Sequence, residues 1–369
     1  MQFGIRCMLM RGGTSKGAYF LSEDLPADRE RRDDLLLRIM GSPDPLQIDG
    51  IGGAHPLTSK VAIVSRSQSP DSDIDFLFAQ VSVQDALVDT KPNCGNILAG
   101  VGPFAIERGL VEIMGTETRV RVHVVNTGTR AELVVFTPNG AVEYEGNEAI
   151  DGVPGTAAAI PINFLDTAGS VCGALFPTGH HAETINGVQI TCIDNGMPIV
   201  LLDALDFGLS GQERCDEIEA AADVLDRIES IRLEAGKRMG LGDVTDAVVP
   251  KVCLISRPVS GGCINTRSLI PRKCHASIGV FAAVSVATAC VLPGTVAQPL
   301  AVVPAGPVKV MDVEHPSGLF LVRLEMGGTP EAPTVERGGL IRTARALFDG
   351  VVFPRARSRN AVSPSTPEG

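Results

Sequence analysis

The chain has 369 residues, 44% of them hydrophobic, with 40 glycines and 25 prolines, enough for two domains that each bury a core. Aromatic residues make up 4%, tryptophan is absent and the formal net charge is −11; this excludes a base-stacking platform and a nucleic-acid coat. Nine cysteines without a C-x-x-C pair exclude zinc ribbons and thioredoxin chemistry and read as thiols in a reducing cytoplasm.

The first seven residues, Met1 to Cys7, lack a signal-peptide layout. A first strand runs into Met10-Arg11-Gly12-Gly13-Thr14-Ser15-Lys16-Gly17. This is either a strand-ending turn or a loop whose glycines let the backbone approach a ligand. It is not a P-loop, because Ala18-Tyr19 stands where Lys-Ser/Thr is required. Residues 27–40 are spaced as an amphipathic surface helix, stopped by Gly41 and Pro43. Asp49-Gly50-Ile51-Gly52-Gly53 lacks the strand-turn-helix context of a dinucleotide fingerprint. Leu57-Thr58-Ser59-Lys60 then places an amine at the mouth of the apolar strand that follows.

Pro92-Asn93-Cys94-Gly95-Asn96 opens an apolar helix over 95–110. Alternating runs at 119–125, 131–136, 188–193, 198–202, 252–256 and 320–324 read as strands. Residues 212–239 are charged and periodic, as two helices would be. Pro271-Arg272-Lys273-Cys274-His275-Ala276-Ser277 leads into a second apolar helix over 276–291, too short to span a bilayer. A short terminal helix is expected at 342–348, and the Pro/Ser-rich tail 358–369 as disordered.

A helix that is apolar on every face is surrounded by protein. Two such helices, each following a cysteine and flanked by strands, make a loose internal repeat. The expected fold is therefore α+β: two pseudo-symmetric lobes, each a curved, mostly antiparallel sheet or barrel round one central buried helix. The first lobe takes 1–160 with part of 335–357, the second 161–334, and both helix N-termini should face a shared cleft.

Lys60 and Cys94 are the candidate catalytic pair. Most lysines lie on the surface, and most free cysteines are buried and inert. Against this, Lys60 heads a buried strand, where desolvation would make a usable base. Cys94 lies among small polar residues at a helix start, a setting that welcomes anions and thiolates. Candidate substrate-binding residues are Thr14, Ser15, Ser59, Asn93, Gly95 and Asn96, with Arg272, His275, Ser277 and Ser317 as a second carboxylate pocket. The six histidines show no metal-ligand spacing, so no metal is expected. The absence of a Gly-x-Ser-x-Gly elbow weakens a serine-hydrolase reading.

The motifs Met10–Gly17, Asp49–Gly53, Thr58-Ser59-Lys60, Asn93–Asn96, Asp194-Asn195-Gly196-Met197-Pro198, Met239-Gly240-Leu241-Gly242-Asp243 and His315-Pro316-Ser317-Gly318 occur in this order. Together they resemble the 2-methylaconitate isomerase family over nearly the whole chain, and within it the 4-oxalomesaconate tautomerases of gallate and protocatechuate breakdown. The resemblance implies the diaminopimelate-epimerase-like fold and a cofactor-independent isomerase of unsaturated di- or tricarboxylates. It puts the family's lysine and cysteine on Lys60 and Cys94. Cys274 lies near the place of the epimerases' second cysteine, but with different spacing to the following glycine. The expected reaction moves a proton on an oxo-tricarboxylate, 4-oxalomesaconate foremost, with Lys60 and Cys94 as base and acid in either order. Isomerisation of 2-methylaconitate or aconitate is the alternative, and a non-catalytic carboxylate-binding protein the alternative of another class. The expected partner is the small-molecule substrate, without cofactor, nucleic acid or membrane, with a homodimer left open.

Overall fold

The computed structural model describes residues 3–91, 94–329 and 332–356. Two compact units divide the chain. One is built from the described residues up to Ile160 and from Arg342 onward, the other from Pro161–Ile341.

The first unit begins with the hairpin β1 (Ile5–Gly12) and β2 (Ser15–Leu21), followed by α1 (Arg29–Met40). Asp28 caps α1 by accepting from the Arg31 N–H at 2.9 Å, and Gly41, at φ 86°, ends it in the left-handed conformation. Next come β3 (Lys60–Arg66), β4 (Ile74–Val81), the two-residue β5 (Val88–Asp89), α2 (Gly95–Glu107), β6 (Glu117–Val124) and β7 (Thr129–Phe136). Ten consecutive residues of α2, Ile97 to Ile106, are buried, as its unbroken apolar sequence requires.

The chain crosses to the second unit along β8 (Ala159–Leu165). There follow β9 (Glu183–Ile185), β10 (Val188–Asp194), β11 (Pro198–Asp203), α3 (Cys215–Ala220), α4 (Ala222–Arg238), β12 (Lys251–Ser256), β13 (Ile264–Ile270), β14 (Lys273–Cys274), α5 (Val280–Val291), β15 (Val308–His315) and β16 (Gly318–Thr329). The crossing back runs along β17 (Ala332–Val352), which pairs with β16 through Leu340 and with β1 from Ala344 onward.

The two units repeat one pairing order. β1–β2 is antiparallel, β2–β3 parallel, β3–β4 antiparallel, β4–β6 parallel and β6–β7 antiparallel. β10–β11, β11–β12, β12–β13, β13–β15 and β15–β16 follow the same alternation. In each unit the apolar helix is the crossover between the fourth strand and its parallel neighbour.

Two expected elements differ. Residues 342–348 are strand, not helix, because the edge of β1 takes them into a ladder that overrides the helical propensity of Arg-Thr-Ala-Arg-Ala-Leu. The second apolar helix starts at Val280, not at 276. Lys273 and Cys274 pair with Ile270 and Leu269, and the His275 N–H donates to the Ser268 carbonyl at 2.8 Å, so the chain stays extended past Cys274.

Candidate active site

Strand alternation sorts the first unit's sheet into two faces. Ala18, Phe20, Val61, Ile63, Ala79 and Val81 pack with Leu35, Leu36, Ile39 and Met40 of α1. Ser15, Gly17 and Tyr19 of β2, Lys60 and Ala62 of β3, and Phe78 and Gln80 of β4 therefore share the opposite face, which α2 covers. Tyr19 Oη donates to the Ile97 carbonyl at 2.6 Å, and a Cβ on Gly17 would lie 3.0 Å from Ile97 Cδ1. At the hairpin turn, Gly13 has φ 51°, and a Cβ there would come within 2.2 Å of Asn96 Oδ1. Only glycine lets the turn lie this close to the start of α2.

Lys60 is 8% exposed, so it is not the ordinary surface lysine that its residue type favours. Its Nζ donates to Gln80 Oε1 at 2.8 Å and sits 5.1 Å from the Phe78 ring centroid. The Gln80 amide cannot turn round without loss, because its Nε2 donates to the carbonyls of Ser59 at 2.9 Å and Pro56 at 3.0 Å. A neutral amide oxygen is thus fixed on the amine. Ser59, expected to bind substrate, is fully buried. It donates to the Val81 carbonyl at 2.9 Å and accepts from Gln47 Nε2 at 2.8 Å. Its hydroxyl holds the entry to β3 and is not offered to a ligand. The Asp49–Gly53 cluster is structural too: Ile51 and Gly52 donate to the carbonyls of Ile39 and Met40 at the end of α1.

Cys94 is the N-cap of α2 and half-buried, and Gly95 and Asn96 are the first two helical residues. Asn93 lies outside the described residues. Asn96 Nδ2 donates to Thr14 Oγ1 at 3.0 Å, while its Oδ1 accepts from Arg342 Nε at 3.3 Å. Ser15 is 2% exposed, and its Oγ has no hydrogen-bond partner among the described residues. A buried hydroxyl without a partner is costly and marks a place where a ligand or water belongs. Gln80 and Arg342 were not singled out from sequence. Gln80 is an alternating polar residue in an ordinary strand, and Arg342 lies far along the chain in a segment read as helix.

The second unit groups part of the other expected pocket. The Ser277 N–H donates to His275 Nδ1 at 2.9 Å, Ser277 Oγ lies 3.4 Å from His315 Nε2, and Ser317 Oγ lies 3.2 Å from His315 Nδ1. Arg272 is not brought into this group. It forms an exposed ion pair with Asp226 of α4 at 2.7 Å, because the β13–β14 turn points it at the acidic face of that helix. Cys274 is half-buried, and burial with a hydrogen bond to Cys215 pushes its thiol up, which disfavours a thiolate. Lys251 opens β12 as Lys60 opens β3. Burial holds its amine below the usual lysine range, and its Nζ lies 3.8 Å from where a Cβ on Gly279, the N-cap of α5, would stand. Among the described residues no group of three or more His, Cys, Asp or Glu side chains could hold a metal ion, and no helix is long and apolar enough to cross a membrane.

The fold is α+β, and it is shared with the crystal structure of methylitaconate-delta-isomerase, which superposes with a TM-score of 0.84 at 35% identity, covering 96% of each chain. The chain belongs to the PrpF protein family, which matches residues 2–355. It is 58% identical over 351 residues to the 4-oxalomesaconate tautomerase of Pseudomonas putida, covering 95% of this chain and 96% of the relative. It is 56% identical over 347 residues to the (4E)-oxalomesaconate Delta-isomerase of a Novosphingobium species, covering 94% and 96%.

Proposed function

We propose that this protein is an isomerase that moves a proton on 4-oxalomesaconate, an unsaturated oxo-tricarboxylate, with Lys60 as general base and Cys94 as the group that returns the proton. The observation that supports this most is the buried Lys60 amine, held on Gln80 and on the face covered by the helix that Cys94 opens. The substrate follows from the names of the 58% and 56% identical relatives.

The reacting C–H is acidified by conjugation to carbonyl and carboxylate groups. Lys60 donates one N–H to Gln80 and takes the proton from carbon on its nitrogen lone pair. The electron pair left behind spreads over a dienolate. Return of a proton to oxygen gives the enol, and return to the far carbon moves the double bond. The N-terminus of α2 and the hydroxyls of Thr14 and Ser15 stabilise the carboxylates and the developing oxyanion. His275, Ser277 and Ser317 are proposed as further carboxylate-binding groups, with no role for Arg272 or Ser59. No step requires a cofactor.

The test is proton NMR of the purified protein with 4-oxalomesaconate, and separately with aconitates, in D2O. Conversion of 4-oxalomesaconate with deuterium entering the product is expected. Cys94→Ser should retain exchange of the substrate C–H through Lys60 while losing turnover. Saturable binding with neither exchange nor conversion would overturn the enzymatic reading, and conversion of aconitates alone would overturn the substrate.

A further inference from the structure

Arg342 reaches α2 from the far end of the sequence. It lies two residues before Ala344, which pairs with Gly12 of β1, so both point to the face that α2 covers. Its half-buried side chain donates through Nε to Asn96 Oδ1 at 3.3 Å. Asn96 in turn donates to Thr14 Oγ1 at 3.0 Å. A guanidinium is thereby held beside the N-terminal turn of a helix, where the unpaired N–H groups already carry partial positive charge. A carboxylate seated at this turn would meet both the helix N–H groups and the guanidinium.

A second, independent observation marks the same place. Ser15 is buried on the same strand face as Gly17 and Tyr19, both of which meet Ile97 in the first turn of α2. Its hydroxyl has no partner among the described residues. The turn glycines Gly12 and Gly13 leave no room for a Cβ against Asn96, so the backbone here is fitted to hold that side chain and what it supports.

We propose that Arg342 is a substrate-binding residue that pairs with one carboxylate of the substrate over the N-terminus of α2, with Asn96 aiming the guanidinium and Ser15 completing the site. A planar guanidinium meets a carboxylate through two parallel N–H bonds, which a lysine cannot reproduce. Burial pushes the Arg342 guanidinium down to about 10, which still leaves it charged at neutral pH. The proposal rests on the tricarboxylate reading above and adds to it a residue that holds one of the carboxylates.

The test measures calorimetric binding of propane-1,2,3-tricarboxylate and steady-state turnover of 4-oxalomesaconate for the wild type, Arg342→Gln and Arg342→Lys. The glutamine amide can still donate to Asn96 and keeps the fold intact, which circular dichroism checks. A charged hydrogen-bond pair is worth roughly 10- to 100-fold in affinity. Arg342→Gln should weaken tricarboxylate binding and raise KM by that factor, more than it lowers kcat, and Arg342→Lys should recover only part. A KM and an affinity within twofold of wild type for Arg342→Gln would overturn the proposal while wild-type turnover leaves the functional reading standing. Arg342-dependent binding without any turnover would keep the proposal and remove the reading. A wild type that neither binds nor turns over a tricarboxylate ends both.

Discussion

At the residue scale, the proposed chemistry depends on how one amine is held. The burial of Lys60 was legible because a lysine at the head of an apolar strand is conspicuous. Its hold on Gln80 was not, because the two meet through a cross-strand pairing, Lys60 opposite Gln80, that no local pattern reveals. Lys60→Met should fold normally and lose about 10²–10⁴ in kcat, the usual worth of a positioned base. Gln80→Leu should cost roughly 10²-fold in kcat through a displaced amine, and about 1–3 kcal/mol of stability through the stranded carbonyls of Ser59 and Pro56. The two rate effects should not add. In the Lys60→Met background, Gln80→Leu should leave the residual rate unchanged, because a holder has no function without the group it holds. Steady-state kinetics of the four proteins, with urea melts beside them, check this. A further drop in the double variant would mean that Gln80 acts on the substrate itself.

At the element scale, α2 is fixed in height and rotation by its contacts with β1 and β2. Tyr19 is fully buried, donates to the Ile97 carbonyl and stacks at a tilt with Phe104 at 5.7 Å between centroids. Gly100 faces its phenol, and a Cβ there would stand 2.4 Å from Tyr19 Oη. Gly100→Ala gains roughly 1 kcal/mol of helix propensity but overpacks a buried contact, which typically costs about 1–3 kcal/mol, and it also strains the hydrogen bond. Denaturation should show a net loss of stability. Tyr19→Phe removes the clashing oxygen, so Gly100→Ala should cost less in that background, and a double-mutant cycle reads the difference. Equal costs in both backgrounds would show that the helix shifts freely instead. The helix itself was readable from its unbroken apolar run. Its seating was not, since the glycines that admit it lie some 80 residues earlier. The same limit explains the terminal segment: residues 342–348 have helix-forming composition, and only the open edge of β1, more than 300 residues away in sequence, makes them a strand.

At the scale of the whole molecule, the two apolar helices disclosed the duplication. The repeated pairing order follows from it, yet the division between Ile341 and Arg342 falls inside one strand, where composition does not change. Thiols lie in the aliphatic cores of both units, and this gives the chain a pH limit. Burial pushes Cys7 of the first unit and Cys192 and Cys253 of the second up to about 12, from an ordinary value of 9.0. Below pH 9 these thiols are protonated whether the chain is folded or not, and they contribute no pH dependence. Above pH 9 the unfolded chain releases their protons while the folded chain keeps them, so stability falls as pH rises until the folded values near 12 are reached. Well above pH 9 each thiol lowers stability by about 1.4 kcal/mol per pH unit; between pH 9 and pH 10, where the unfolded thiols are still partly protonated, the three together remove about 3 kcal/mol. Urea unfolding should therefore give a flat stability from pH 7 to 8.5 and a steep decline above 9. Cys253→Ala should make the decline shallower by one thiol's share while lowering stability at pH 7 through the lost packing. A decline of unchanged slope in that variant would assign the alkaline limit to groups other than the buried thiols.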